Sequence, residues 1–137
     1  EFPRIDDRFT GLPYRYGWML VIDPTQPVEL TGGSAGGMIM NTLGMVDHKT
    51  GKEQKWWCGP VSSLQEPCFI PRSVDAPEGD GWIVMVCNRL AEHRSDLLLF
   101  DATDIAKGPI AQIRVPIRLR FGLHGNWANA DQIGLAA

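Results

Sequence analysis

Among the histidines of this sequence, one that is flanked by glycines has the setting that best suits metal binding. His124 lies in the run FGLHGNW, with Gly122 before it and Gly125 after it. Glycine adopts backbone conformations that other residues avoid, so this pair would let the chain turn and aim the imidazole away from a strand. A lone histidine is more often an ordinary core or surface residue than a ligand, so its surroundings must decide between the two interpretations.

The other two histidines have settings typical of solvated side chains. His48 falls in the polar turn at 47–51, and His93 falls in the polar connection at 88–95. We therefore expect neither of them to bind a metal.

Two glutamates each stand at the head of an apolar segment that contains proline. Glu1 opens the run EFPRID, and Glu66 opens the run EPCFIPR. A half-buried carboxylate needs a cationic or hydrogen-bonding partner to remain charged. Arg4 or Arg72 could supply it through an ordinary salt bridge. A metal-bound imidazole would be a better partner, because its second ring nitrogen donates to a carboxylate.

The elements that would position these residues have the pattern of β-strands. Helical periodicity is nearly absent, and short runs rich in β-branched or aromatic residues end in Gly, Pro, Asp or Asn. One helical turn is predicted at 101–106, with Asp101 as its N-cap, and a strand-like stretch at 118–123 leads into His124. The predicted strands cover residues 16–22, 37–46, 54–58, 68–71, 82–88, 96–101 and 110–115.

Specific turn residues separate the predicted strands. The segment 47–51 has the composition of a hairpin loop with Gly51 at positive φ, and 75–81 that of a longer surface loop. Repeated short hairpins fit a β-sandwich or a β-propeller, whose blades hold four strands in roughly 40–50 residues each. At that spacing 137 residues supply about three blades, which would leave edge strands unpaired.

Composition argues against several classes of protein. The net charge is −3 and no Lys/Arg cluster alternates with aromatic residues, so nucleic acid is not an expected partner. The apolar runs fall short of the roughly 20 residues that a membrane span needs. Three cysteines without a CxxC spacing argue against a disulfide framework or zinc knuckle and favour reduced thiols in a cytoplasmic protein.

Several motifs, in order along the chain, resemble those of the carotenoid cleavage oxygenases, a family that includes the bacterial lignostilbene dioxygenases. They are EFPRID, GLPYRY, EPCFIPR, DAPEGDGW, SDLLLFDA and HGNW, and they run nearly from end to end. The resemblance implies an all-β fold in which this chain forms about the last three blades of a seven-bladed propeller with antiparallel strands. Residues 1–137 would then be the C-terminal segment of a single propeller domain, and we do not expect them to fold as an independent domain.

The same resemblance implies an Fe(II) site on the propeller axis, held by four histidines. By motif, His124 would be the last of these ligands, Glu66 would orient it, and Glu1 would orient a histidine upstream of this chain. Three of the four ligands have no counterpart here, so the isolated chain is predicted to be inactive. Phe121 and Trp127 flank His124 and would either line a substrate tunnel or pack in the core.

The implied activity belongs to the complete enzyme. It would be an O2-dependent dioxygenase that cleaves a conjugated carbon–carbon double bond of a stilbenoid, lignostilbene or apocarotenoid to give two carbonyl products. Its partners would be O2, this hydrophobic substrate and the remainder of the propeller. The alternative is a non-catalytic β-rich interaction domain in which Glu1, Glu66 and His124 are structural, because a fold alone does not establish a function.

Overall fold

The chain folds almost entirely into β-strands. The computed structural model describes residues 1–29, 40–122 and 124–135. Within these ranges there is no α-helix, and the helical structure is limited to short 3₁₀ turns at Asp7–Phe9, Ile105–Lys107 and Asp131–Ile133. The strands are β1 (Tyr16–Val21), β2 (Thr42–Asp47), β3 (Lys52–Trp57), β4 (Ser62–Leu64), β5 (Cys68–Pro71), β6 (Gly81–Arg89), β7 (Arg94–Asp101) and β8 (Ala111–Arg114).

The strands form two antiparallel sheets. The first has the order β1-β2-β3, and the second has the order β4-β6-β7-β8 with β5 also paired to β6. Two short strands share one edge of β6, because β5 pairs with residues 81–84 and β4 pairs with residues 87–89. The connecting residues 65–67 lie at the gap between them, where Pro67 has no N–H to continue a ladder. This gap is where Glu66 leaves the sheet edge.

The core lies between the two sheets. Alternate residues of β6, namely Ile83, Met85 and Cys87, are at most 2% exposed, as a strand with one buried face requires. Trp18 of the first sheet stacks on Phe69 of the second, with ring centroids 4.9 Å apart. The two sheets therefore share one hydrophobic cluster, which fixes their relative position.

Most predicted strands are present, with shifted ends. The segment 68–71 has the predicted bounds, and β6 and β7 each begin earlier than expected. Residues 37–39 of the predicted strand 37–46 lie outside the described residues, and β2 begins only at Thr42. The strand β4 was missed because three residues of sequence SSL carry no alternating pattern. Gly51 has φ +71°, as the hairpin loop predicted.

Two local predictions near the C-terminal half were wrong. The helical turn begins at Ile105 rather than after Asp101, because the Asp101 carboxylate instead accepts bonds from the Thr103 backbone N–H and hydroxyl at 2.9 and 2.7 Å. Residues 118–122 are not a strand, since their backbone bonds to side chains. The Leu119 N–H, for example, donates to the Ser95 hydroxyl oxygen at 3.0 Å.

The described residues form two sheets where about three blades were expected. The expected number of blades assumed that strands are spread evenly along the chain, whereas the described chain beyond Arg114 is mostly without strands.

Among the described residues no helix is long and apolar enough to cross a membrane. All three cysteines, Cys58, Cys68 and Cys87, are buried free thiols.

Candidate metal-ligand site around His124

The carboxylate of Glu66 is nearly enclosed although its residue stands in a connection between strands. Its side chain is only 6% exposed, because the gap between β4 and β5 turns it toward the chain that follows β8. Burial of this kind requires that the carboxylate oxygens find donors. Both of them do, and the donors come from the far end of the sequence.

His124 and Glu66 meet across 58 positions of sequence. The Nδ1 atom of His124 lies 3.3 Å from Glu66 Oε1, and the Gly125 N–H donates to Glu66 Oε2 at 2.8 Å. A carboxylate beside Nδ1 favours the tautomer with the proton on that nitrogen, which leaves the lone pair on Nε2. The imidazole is 74% exposed, so Nε2 is available to a ligand from outside the described residues.

A glutamine next to Glu66 holds the chain on the other side of His124. We define the His124 segment as residues 118–122 and 124–127. The Gln65 Nε2 donates to the Arg120 carbonyl oxygen at 3.1 Å, and Gln65 Oε1 accepts from the Gly122 N–H at 3.1 Å. Sequence reasoning missed Gln65, and its only signal was its position beside Glu66.

The two glycines beside His124 act differently from the prediction. Neither Gly122 nor Gly125 has a positive φ, so no left-handed turn aims the imidazole. A Cβ atom on Gly122 would instead lie 2.8 Å from Gln65 Oε1, whereas one on Gly125 would meet nothing within 4 Å. A side chain at position 122 would therefore displace the Gln65 amide oxygen from its contact with this backbone.

Of the three partners considered for Glu66, the imidazole and Arg4 are present and Arg72 is not. Besides the imidazole, the Arg4 Nη1 atom lies 3.5 Å from Glu66 Oε2. Arg72 is engaged elsewhere, with its Nε 2.8 Å from Asp80 Oδ1. The salt bridge and the imidazole contact thus belong to one cluster rather than to alternative arrangements.

A pocket of about 180 Å³ lies beside Glu66 and His124. Val84, Val86 and Leu97 contribute its apolar wall, from the face of β6 and β7 that points away from the core. The Phe2 ring meets the His124 imidazole edge-on, with ring centroids 5.6 Å apart. Phe2 was also missed from the sequence, where only its place beside Glu1 could have indicated it.

The aromatic residues that flank His124 in sequence do not line this pocket. Phe121 and Trp127 are 51% and 47% exposed, and the Trp127 Nε1–H donates to Asn129 Oδ1 at 2.9 Å. They therefore belong neither to the pocket wall nor to the core of the described residues. Their assignment to a substrate tunnel stays a prediction.

Glu1 is anchored through its backbone. Its N-terminal ammonium donates to the Leu20 carbonyl oxygen at 2.8 Å, and its own carbonyl oxygen accepts from the Leu20 N–H at 2.9 Å. The side chain is exposed and bonds to nothing among the described residues. Its assignment to a second histidine stays a prediction.

The remaining histidines lie away from the pocket. The His48 ring packs edge-on against Tyr14 at 5.3 Å, and His93 occupies the turn between β6 and β7 with φ +50°. The described part of the chain contains no group of three or more His, Cys, Asp or Glu side chains that could hold a metal ion. Any metal site would therefore combine His124 with ligands from elsewhere.

Comparison with known proteins identifies relatives along nearly the whole chain. The profile of the family described as "Retinal pigment epithelial membrane protein" matches residues 1–129. Lignostilbene-alpha,beta-dioxygenase isozyme III of Sphingomonas paucimobilis is 53% identical over 137 residues, which cover 100% of this chain and 28% of that protein. Isoeugenol monooxygenase of Pseudomonas putida is 44% identical over 131 residues, with 96% of this chain and 27% of that protein covered.

Solved structures match the fold as well. The crystal structure of Pseudomonas brassicacearum lignostilbene dioxygenase superimposes with a TM-score of 0.87 at 46% identity, over 93% of this chain and 27% of that one. Cobalt-substituted apocarotenoid oxygenase of Synechocystis gives a TM-score of 0.78 at 31% identity, over 93% of this chain and 25% of that one. The chain thus spans about a quarter of the length of the relatives it matches.

Proposed function

This chain belongs to the retinal pigment epithelial membrane protein family, that of the carotenoid oxygenases, and from that premise we propose that it supplies one iron ligand, His124, to a longer dioxygenase. The observation that carries the proposal is the pairing of the His124 Nδ1 with an enclosed carboxylate, Glu66, at 3.3 Å. Metal-binding histidines almost always donate their other ring N–H in this way.

The donor set fits a metal of borderline softness. A neutral imidazole suits iron, and a set of imidazoles leaves coordination positions open for other ligands. His124 would bind the metal through Nε2. Glu66 would assist by fixing the tautomer of the imidazole. Fe(II), when bound, supplies the activation of O2, which is the chemistry that protein side chains lack.

The residues of this chain would orient the ligand. Glu66 would retain the proton at Nδ1 and leave the lone pair of Nε2 for the metal. Its second oxygen accepts from the Gly125 N–H at 2.8 Å, so the backbone after the ligand is fixed by the same carboxylate. Val84, Val86 and Leu97 form an apolar wall of the adjacent pocket.

The substrate we propose is a stilbenoid or lignostilbene, with an apocarotenoid as the alternative. The supporting relatives are a lignostilbene dioxygenase, resveratrol cleavage oxygenases, isoeugenol monooxygenases and an apocarotenoid oxygenase, and the first of these shares 53% identity with this chain. The reaction joins O2 to a conjugated carbon–carbon double bond and gives two carbonyl products. The three buried free thiols favour the cytoplasm, where thiols stay reduced.

We further propose that residues 1–137 form part of one propeller domain and pack against its remaining blades. Exposed apolar side chains along and after β8 support this, since Ile113 is 57% exposed and Ile117 is 65% exposed. The remainder of the domain would provide the other three histidines, one of them paired with Glu1. The chain produced alone would then aggregate or remain partly unfolded.

The proposal is tested by the iron content of the full-length gene product. His124→Ala should abolish bound iron and double-bond cleavage, and Glu66→Ala should weaken iron binding by roughly 10- to 100-fold. The matched control is His48→Ala, which removes an exposed histidine packed on Tyr14 and should leave the iron content unchanged. Unchanged iron in both His124→Ala and Glu66→Ala would leave the non-catalytic interaction domain as the remaining interpretation.

A further inference from the structure

We propose that Arg4 is a positioning residue for His124, acting through Glu66 and through the backbone of Gly125. The inference rests on the proposed function, because it assigns Arg4 a task at the same metal ligand. Its basis is a set of contacts that join three distant parts of the chain at one guanidinium group.

Arg4 is mounted on a rigid part of the fold. Its N–H donates to the Trp18 carbonyl oxygen at 2.7 Å, and its own carbonyl oxygen accepts from the Trp18 N–H at 2.8 Å. Trp18 is fully buried and stacks on Phe69 of the second sheet. The backbone from which the guanidinium extends is therefore held by the core itself.

The guanidinium contacts the residues that follow His124, whereas Gln65 contacts residues that precede it. Its Nη1 donates to the Gly125 carbonyl oxygen at 3.0 Å, and its Nη2 donates to the Asn126 side-chain oxygen at 3.2 Å. Gly125 thus has its N–H bound by Glu66 at 2.8 Å and its carbonyl bound by Arg4. The peptide groups next to the ligand cannot rotate without breaking one of these bonds.

The same guanidinium supplies the charge that Glu66 needs. The Arg4 side chain is 17% exposed and the Glu66 side chain is 6% exposed, with Nη1 to Oε2 at 3.5 Å. In the described part of the chain Arg4 is the only arginine or lysine within salt-bridge distance of Glu66. An enclosed carboxylate needs a cationic or hydrogen-bonding partner, and Arg4 is a cationic partner fixed beside the imidazole that the carboxylate contacts.

Only an arginine can make these contacts together. The planar fork presents five N–H donors in a fixed geometry, and Arg4 uses two nitrogens toward Glu66, Gly125 and Asn126, with Asp7 Oδ2 3.3 Å from Nη2. A lysine carries a compact charge with three donors on a single nitrogen. It would keep the charge beside Glu66 but lose the bridge to the His124 segment.

The experiment measures cobalt binding to the metal-free, full-length protein for Arg4→Met, Arg4→Lys and Glu66→Gln. Arg4→Met should lower the affinity for Co²⁺ by roughly tenfold, the low end for outer partners of a ligand, and Arg4→Lys should fall between it and the wild type. Both variants should shift the visible d–d bands of bound Co²⁺, a signature that a loss of overall stability does not produce.

The decisive comparison is the double variant Arg4→Met/Glu66→Gln. Because Arg4 acts partly through Glu66, the loss of affinity in the double variant should be smaller than the sum of the two single losses, which is the non-additivity expected of groups in one network. The matched control is Arg72→Met, since Arg72 pairs with Asp80 and Asp101 and should leave Co²⁺ affinity and spectrum unchanged.

The possible outcomes separate this inference from the proposed function. If Glu66→Gln weakens Co²⁺ binding and Arg4→Met does not, Arg4 does not position His124. If the two effects simply add, Arg4 does not act through Glu66. Either result overturns the inference, and the proposed function survives both. If neither variant nor His124→Ala alters Co²⁺ binding, the proposed function itself fails. A spectral shift in Arg4→Met, with non-additivity in the double variant, supports the inference.

Discussion

The β6–β7 hairpin and the His124 segment are held in place by different interactions. The hairpin has eight consecutive pairs of residues in register, and its inward side chains Ile83, Leu98 and Phe100 are fully buried. The His124 segment has exposed side chains and is held by bonds from Gln65, Glu66 and Arg4 to its backbone. The stability of the fold and the position of His124 therefore depend on separate residues. A mutation can be expected to affect one of the two without affecting the other.

The largest expected effect is a loss of stability from the hairpin core. Phe100 is fully buried and meets Trp56 edge-on at 5.0 Å. Phe100→Ala should lower the free energy of unfolding by about 3–5 kcal/mol, because the cavity it leaves cannot fully collapse. Urea denaturation of the full-length protein measures this, with Val74→Ala, at an 82% exposed position, as a control within about 0.5 kcal/mol of wild type. Equal losses in both variants would contradict the assignment of the core.

A pair of glutamines provides the sharpest test of the comparison. Gln65 bonds to the backbone of Arg120 and Gly122, and Gln54 bonds in the same manner to the backbone of Thr103 and Ala106. Replacing either by Ala removes two hydrogen bonds, so each should cost about 1–2 kcal/mol of stability.

The two glutamine variants should differ in metal binding. Only Gln65→Ala frees the His124 segment, so only that variant should lower the affinity for Co²⁺, measured by equilibrium titration of the full-length protein. Gln54→Ala should bind Co²⁺ as the wild type does. An equal loss of affinity in both variants would mean that the overall stability of the protein determines Co²⁺ affinity, rather than the hydrogen bonds between Gln65 and the His124 segment.

A smaller effect is expected from the two glycines beside His124. A Cβ on Gly122 would lie 2.8 Å from Gln65 Oε1, and one on Gly125 would meet nothing within 4 Å. Gly122→Ala should therefore weaken Co²⁺ binding by no more than Gln65→Ala does, because it displaces the same side chain. Gly125→Ala should have no effect on Co²⁺ affinity. A larger loss of Co²⁺ affinity in Gly125→Ala than in Gly122→Ala would show that the close contact between Gly122 and Gln65 does not determine Co²⁺ affinity.

The smallest expected effect on Co²⁺ binding comes from the first sheet. A hydrogen bond from Arg15 holds the pKa of the Asp47 carboxyl well below its ordinary value of 3.8, with Arg15 Nε donating to Oδ1 at 2.8 Å. The stability from this pair is fully present above the ordinary pKa. It is lost as the pH falls below about 4, through the lowered pKa of the folded state.

Asp47→Asn should remove this part of the acid dependence. Urea unfolding between pH 7 and pH 3 should show a flatter decline of stability for the variant than for the wild type. Co²⁺ affinity at pH 7 should remain that of the wild type, since Asp47 lies in the first sheet. Parallel declines for variant and wild type would show that the Arg15–Asp47 pair does not contribute to acid unfolding.

The strands could be predicted because their signals are local. Alternation in β6 and turn residues such as Gly51 depend on neighbours in sequence, and both features are present. Local sequence patterns gave the wrong prediction where the backbone forms hydrogen bonds with side chains instead of with a neighbouring strand. The run at 118–122 has the residue types of a strand, yet its hydrogen bonds go to Ser95 and Gln65.

Part of the candidate site was also accessible from the sequence. The motifs predicted that Glu66 orients His124, and the structure places the two side chains in contact at 3.3 Å, while the role of Glu66 at a metal ligand stays a prediction. Arg4 was considered only as a salt-bridge partner, and Gln65 and Phe2 were missed. Apart from the positions of Gln65 and Phe2 beside the two glutamates, nothing in the local sequence marks these residues, because their partners lie 55 or more positions away.

Most strands, the turn at Gly51 and the family could be predicted from the sequence alone, because they depend on neighbouring residues or on ordered motifs. The same motifs predicted the pairing of Glu66 with His124. How the imidazole is held depends on the tertiary structure. The gap between β4 and β5 encloses Glu66, Gln65 contacts the backbone at Gly122, and Arg4 reaches Gly125 across 121 positions. Contacts over such distances exist only once the two sheets have packed around a shared core, which no local pattern specifies.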